Sequence, residues 1–230
     1  MFKTLFPKNQ RIAAELNLPC YPLETNLPLF NIVISKLKGR YIPLSYIALY
    51  SCVLSFGKKI SKYYIASALN YEQEKIFRDA SHDKDMSEFC EMYLVPLIST
   101  EQTELILDGA QYRRVDKVKR IADWDIARKY LNVCWHNHDD GSNCGECGKC
   151  LRTLLTPEIL GKLDNFAHIF DMDSYKKAAP GYKRRCVKKY KQAPFESENV
   201  DFAKENNFPM PTLKKSVKSV GDKKLAATKH

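Results

Sequence analysis

Apolar and polar positions along this chain fall into helical and extended spacings, separated by polar or proline-bearing breaks. In residues 9–16 (NQRIAAEL) Ile12, Ala13 and Leu16 recur at helical spacing, and Asn17-Leu18-Pro19 ends the run. Residues 21–24 (YPLE) predict a short strand, and the apolar stretch 29–35 favours a helix. Pro43 opens a stronger helix that reaches about Phe56, since a missing N–H does no harm in a first turn. That helix is apolar on nearly every side, which predicts burial. Residues 62–68 (KYYIASA) are rich in β-formers and predict a buried strand. Residues 103–107 (TELIL) predict a second, ended by Asp108-Gly109. Residues 70–92 between them are charged and irregular, with room for a helix near the end. Residues 115–122 and 124–130 predict two short helices, with Asp123 placed to cap the second. Residues 151–163 predict a helix that Pro157 limits or kinks.

Strands alternating with helices favour an α/β fold, a sheet with helices on both faces, although two or three strands are few for 180 residues. After Pro180 the composition changes. Residues 181–230 hold 13 Lys and Arg against 5 Asp and Glu, whereas residues 1–180 hold 24 against 22. The expected organisation is therefore an α/β domain over 1–180 and a basic, partly disordered tail over 181–230. Such a tail can hold polyanions through a salt-sensitive electrostatic attraction. No membrane partner is expected. The longest mostly apolar run, residues 47–56, is too short to span a bilayer, and residues 1–28 lack the pattern of a secretory signal. The expected location is cytoplasmic.

Candidate chemistry concentrates in Cys134-Trp-His-Asn-His-Asp-Asp-Gly-Ser-Asn-Cys144-Gly-Glu-Cys147-Gly-Lys-Cys150-Leu-Arg. Eight cysteines invite a disulfide reading, but clustered cysteines in a cytosolic chain bind metal more often than they pair. A C-x-x-C turn brings two sulfurs to one side, and Gly145 and Gly148 supply conformations that other residues resist. Zinc takes four thiolates in a tetrahedron, and Cys134, Cys144, Cys147 and Cys150 make such a set. Lys149 and Arg152 can offset its negative charge. Three other readings stand beside this one: an iron–sulfur cluster, a mixed site with His136 or His138 in place of Cys134, and redox-active thiols. A closed four-cysteine zinc site leaves no position for water, so its work is to hold the loop and not to catalyse. Cys20, Cys52 and Cys90 read as small buried hydrophobes, and Cys186, among lysines and arginines, as a somewhat reactive thiol.

The run Cys134…Cys144-Gly-Glu-Cys147-Gly-Lys-Cys150-Leu-Arg resembles the zinc loop of 7-cyano-7-deazaguanine synthases and related PP-loop ATPases. The resemblance extends more weakly over residues 12–163. Tyr64-Ile65-Ala66-Ser67 resembles a strand ending at the nucleotide rim, and residues 96–101 the substrate-side segment after it. Residues 114–121 resemble the helix leading to the zinc loop. The resemblance implies a partial Rossmann-like sheet of the adenine nucleotide alpha hydrolase type, with a C-terminal helical zinc-binding region. It also implies a small-molecule or nucleotide substrate near Ser67, Ser99, Thr100, Glu101, Arg114 and Lys117. Family members adenylate their substrate with ATP through a Ser-Gly-Gly-x-Asp-Ser loop that cradles pyrophosphate. These 230 residues contain no such run, so ATP is an expected cofactor only if that half is supplied from elsewhere. The expectation is a fragment or a non-catalytic relative. Residue by residue, Ser99-Thr100-Glu101 equally suits a helix N-cap, and Arg114 and Lys117 ordinary surface charge. The alternative function is nucleic-acid binding through the zinc loop and residues 183–191 (KRRCVKKYK), with Tyr182 and Tyr190 stacking on bases.

Overall fold

The computed structural model describes residues 2–38, 45–79, 91–136 and 141–212. The first helices are α1 (Phe2–Glu15), α2 (Leu27–Lys38) and α3 (Ser45–Leu54), followed by strand β1 (Lys62–Ala66). Next come α4 (Tyr71–Asp79), α5 (Glu91–Ile98) and strand β2 (Glu104–Asp108). The chain continues through α6 (Arg114–Ile121), α7 (Asp125–Tyr130), α8 (Gly148–Ile159), α9 (Met172–Lys188) and α10 (Pro194–Glu205). The fold is α/β, mostly helical, with one small sheet.

β1 and β2 pair directly and in parallel, Lys62 opposite Glu104 through Ala66 opposite Asp108. This register puts Tyr63, Ile65, Leu105 and Leu107 on one face, because side chains alternate along a strand. Ile65 and Leu105 are buried there with Tyr50 and Val53 of α3 and Val95 of α5. The opposite face carries Tyr64, which is 63% exposed, and the exposed Lys62–Glu104 ion pair at 3.4 Å. Among the described residues helices therefore cover one face of the sheet, where two covered faces were expected.

Several local expectations change for identifiable reasons. Residues 21–24 form no strand: they are exposed and pair with nothing in the sheet, and a strand needs a ladder partner. The charged stretch after residue 70 begins with a helix. Asn70 Oδ1 accepts the Gln73 N–H at 2.8 Å and Gln73 Oε1 accepts the Asn70 N–H at 3.3 Å, a reciprocal capping box that starts α4. Residues 80–90, with Cys90, lie outside the described residues. α3 buries Tyr50 and Val53 but leaves Ile47 and Leu49 each 39% exposed, so it is not enclosed on all sides. Asp123 does not cap α7; it pairs with Lys162 and with Arg128.

The boundary expected after Pro180 falls inside α9. Tyr175, Ala179, Tyr182 and Cys186 recur at helical spacing as a buried stripe on both sides of Pro180. That stripe holds the helix against the core although proline gives no N–H to the preceding turn. α10 then adds Val200, Phe202 and Ala203 to the same core. The basic composition sits on the outer face of α9, where Arg184, Arg185, Lys188 and Lys189 are exposed. The expected tail is thus helical and packed through residue 205, and residues 213–230 lie outside the described residues. This larger core joins α6, α8, α9 and α10 around Leu154, Leu155, Phe166 and Tyr175.

Candidate metal centre

Cys147 caps the N-terminus of α8, and Cys150 lies one turn further on, fully buried. Cys144 sits three residues before the cap, and Cys134 arrives from the segment after α7. All four Sγ atoms lie within 4.8 Å of one another. Cys134 and Cys147 sulfurs are 4.0 Å apart, as are those of Cys144 and Cys150. Four thiolates on zinc at about 2.3 Å stand about 3.8 Å apart, so the quartet needs only a small contraction to close on a tetrahedral ion. Backbone N–H groups already point at the sulfurs. Cys147 N–H donates to Cys144 Sγ at 3.3 Å, and Cys150 N–H to Cys147 Sγ at 3.5 Å.

The loop that delivers Cys134 is held by Asn143, which is 1% exposed. Its Oδ1 accepts the N–H groups of Val133 at 2.8 Å and Cys134 at 3.1 Å. Its Nδ2 donates to the carbonyls of Leu131 and Ile169, each at 2.9 Å. One side chain thus satisfies four backbone groups and ties the Cys134 segment to the turn before α9. The Cys144–Cys147 turn requires Gly145. Its φ is +73°, and a Cβ there would lie 2.0 Å from the Asp171 carbonyl oxygen. Asp171 caps α9, accepting the Ser174 N–H at 3.0 Å. The knuckle is therefore wedged on the start of α9.

Burial raises the Cys147 thiol, but the Cys150 N–H and thiol, the Trp135 N–H and the Cys144 thiol together outweigh it and bring it down to about 7. Burial pushes Cys150 upward. A depressed thiol at a helix N-terminus is suited to bind metal as thiolate. His136 is exposed beside Trp135 and outside the sulfur quartet, and His138 lies outside the described residues. Lys149 Nζ sits 6.0 Å from the Trp135 ring. Arg152 does not face the sulfurs. Two residues past Cys150 is about 200° round the helix, and its guanidinium stacks on Phe195 at 3.7 Å. Cys186 is no reactive thiol: it is fully buried, and burial first of all pushes it up to about 11. Cys20 and Cys52 are half-buried and free.

The six residues read as substrate-facing divide into two sets. Parallel strands have distinct ends, and Ser67 follows the carboxyl end of β1. Lys117 Nζ donates to the Ser67 carbonyl at 2.9 Å and to Ser67 Oγ at 2.8 Å. Arg114 lies one turn before Lys117 on the same face of α6. Ser99, Thr100 and Glu101 precede the amino end of β2, at the opposite end of the sheet. Ser99 Oγ donates to the Val95 carbonyl at 3.1 Å and accepts the Leu105 N–H at 3.0 Å. Thr100 Oγ1 accepts the Thr103 N–H at 3.0 Å. These contacts close the turn between α5 and β2, no helix starts there, and Glu101 is exposed. Tyr182 is 6% exposed, so it offers no face to a base. The Tyr190 hydroxyl donates to Asp201 at 2.7 Å, and Lys204 Nζ lies 4.1 Å from its ring.

Sequence reading did not single out Asn143, Gly145's contact with Asp171, or Glu198. Asn143 stands directly before Cys144, and Asp171-x-x-Ser174 is a legible cap. Glu198 carries no local signal. No family model matches the chain, and no curated protein or solved structure matches it either.

Proposed function

We propose that the four cysteines bind one structural zinc ion that clasps the Cys134 segment, the N-terminus of α8 and the start of α9. The observation that carries this reading is the quartet itself: four sulfurs within 4.8 Å of one another, two of them buried. With all four corners filled by protein, the ion has no position for substrate or water, so its contribution is to folding. Metal analysis of protein purified without added metal tests this. One zinc per chain is expected; iron with visible absorbance, or no metal, overturns it.

We further propose that the chain is a PP-loop ATPase relative, like the 7-cyano-7-deazaguanine synthases, that does not adenylate by itself. The reading is supported by the knuckle spacing and by Ser67, Arg114 and Lys117 meeting at the carboxyl end of two parallel strands, where open α/β sheets take ligands. Pyrophosphate release from ATP by the purified chain would contradict it. A second reading, nucleic-acid binding, is favoured only by the exposed Arg184, Arg185, Lys188 and Lys189 on α9. It requires affinity that falls steeply as salt rises.

A further inference from the structure

Three cations meet where α6, α8 and α10 pack against one another: Arg114, Lys117 and Arg152. The Nε atoms of Arg114 and Arg152 are buried and have no hydrogen-bond partner. Among the described residues none of the three cations has a carboxylate within ion-pair distance. The Arg152 guanidinium lies 3.7 Å from the Phe195 ring centroid, and Lys117 is held by the Ser67 carbonyl and hydroxyl. Arg152 and Lys117 are thus placed by contacts other than an ion pair.

The acids nearby offset the cluster only in part. Glu198 is 4% exposed; its Oε2 accepts the Arg114 backbone N–H at 3.1 Å and the Gln73 Nε2–H at 3.0 Å, while Oε1 has no partner. Burial pushes the Glu198 carboxyl up to about 7, and burial also raises Glu91, which takes the Tyr50 hydroxyl at 3.2 Å. Asp108, at the end of β2, is exposed. Burial lowers Arg114 and the charge of Arg152 adds to that, against the opposing charge of Glu198; burial and the charge of Arg114 lower Lys117, against Glu198, Asp108 and Glu91. Partly buried charge that its neighbours offset only in part is costly, and a bound anion relieves it. Two guanidinium groups whose terminal N–H groups match phosphate oxygens, and an ammonium that adds a point charge, suit a phosphate. Gly109 leaves room beside it, since a Cβ there would meet Lys117 Cε at 3.3 Å.

We propose that Arg114, Lys117 and Arg152 form a binding site for a phosphate group at the carboxyl end of the sheet. The site is separate from the sulfur quartet and does not depend on the family reading. The group belongs either to free phosphate or to a small phosphorylated molecule. Line broadening of the phosphorus resonance, with the zinc-loaded 230-residue chain at constant ionic strength in chloride, tests it with inorganic phosphate and with AMP. Both lines are expected to broaden in a saturable way. Tighter binding of AMP, by tenfold or more, assigns the site to a nucleotide; equal binding assigns it to the phosphate group alone, and either supports the proposal. Arg152→Met and Arg114→Met, each checked for zinc content and circular dichroism, are expected to lose at least tenfold in affinity. Unbroadened lines with the wild-type protein overturn the proposal without recourse to a variant. Unchanged affinity in both folded variants overturns it equally. Unchanged zinc content in either case keeps the metal reading separate.

Discussion

Around the metal loop, α6, α8, α9 and α10 bury Leu154, Leu155, Phe166 and Tyr175 to 1% exposure or less, whereas α2 leaves Leu29, Ile32, Val33 and Leu37 more than half exposed. Both stretches are apolar in sequence. The difference lies in what fixes the connecting loops. On the C-terminal side, Asn143 satisfies four backbone groups and four sulfurs that could hold a metal ion lie within 4.8 Å of one another, where three segments converge and their helices close on a shared core. On the N-terminal side, the described residues offer only the modest core of Tyr50, Val53, Ile65, Val95 and Leu105. Apolar content shows what can be buried; loop constraints decide what is.

The contrast breaks most sharply at the metal. On the proposed zinc reading, Cys147→Ser removes one sulfur ligand while its hydroxyl can still cap α8, and is expected to cost several kcal/mol, since the binding energy of a structural zinc is folding energy. Amide hydrogen exchange should show protection lost in α8 and α9 and kept in β1 and β2. Equal loss in both regions would erase the distinction between them. Next comes Asn143→Ala, which strands the N–H groups of Val133 and Cys134 and two carbonyls. A loss of about 3 kcal/mol in denaturant unfolding is expected, and a value near zero would show that the loop does not need this clasp.

Glu198 sharpens the comparison by pH. Its folded carboxyl is raised from the ordinary 4.5 to about 7, with burial as the main cause. The folded state therefore holds the proton more tightly than the unfolded chain. Stability from this group is fully present below about 4.5, declines as pH rises, and has been lost by about pH 7, a change of about 3 kcal/mol. Glu198→Gln does not titrate, so the stability of wild type relative to this variant should fall across that window. A difference that is flat or rises with pH contradicts the assignment; taking the difference cancels the separate acid sensitivity of the thiolates. The smallest effect is expected at Leu37→Ala on α2. Leu37 is 76% exposed, and a change within about 0.5 kcal/mol is expected. A loss of 2 kcal/mol or more would mean that this face is covered in solution.

The elements with strong periodicity were legible in the sequence. α2, α3, β1, β2, α6 and α7 stand close to their expected positions, and the four cysteines do come together. Of the expectations that failed, three show the physical reasons most plainly. The Tyr21 segment has strand-forming residues but no partner ladder. The capping box of Asn70 and Gln73 outweighed the charged character that suggested a loop. The basic composition after Pro180 described only the outer face of α9, while Tyr182 and Cys186 faced the core. For the site, spacing revealed the ligands but not the Asn143 clasp, because that role depends on chain segments ten and twenty-six residues away. Nor could spacing bring Glu198 to the N-terminus of α6, 84 residues earlier.

The most direct test of the proposed metal centre is zinc X-ray absorption on the purified 230-residue chain. Four sulfur neighbours at about 2.3 Å are expected, with no nitrogen or oxygen in the inner shell. A shell containing nitrogen would move His136 or His138 into the site. An iron edge in place of the zinc edge would contradict the account outright.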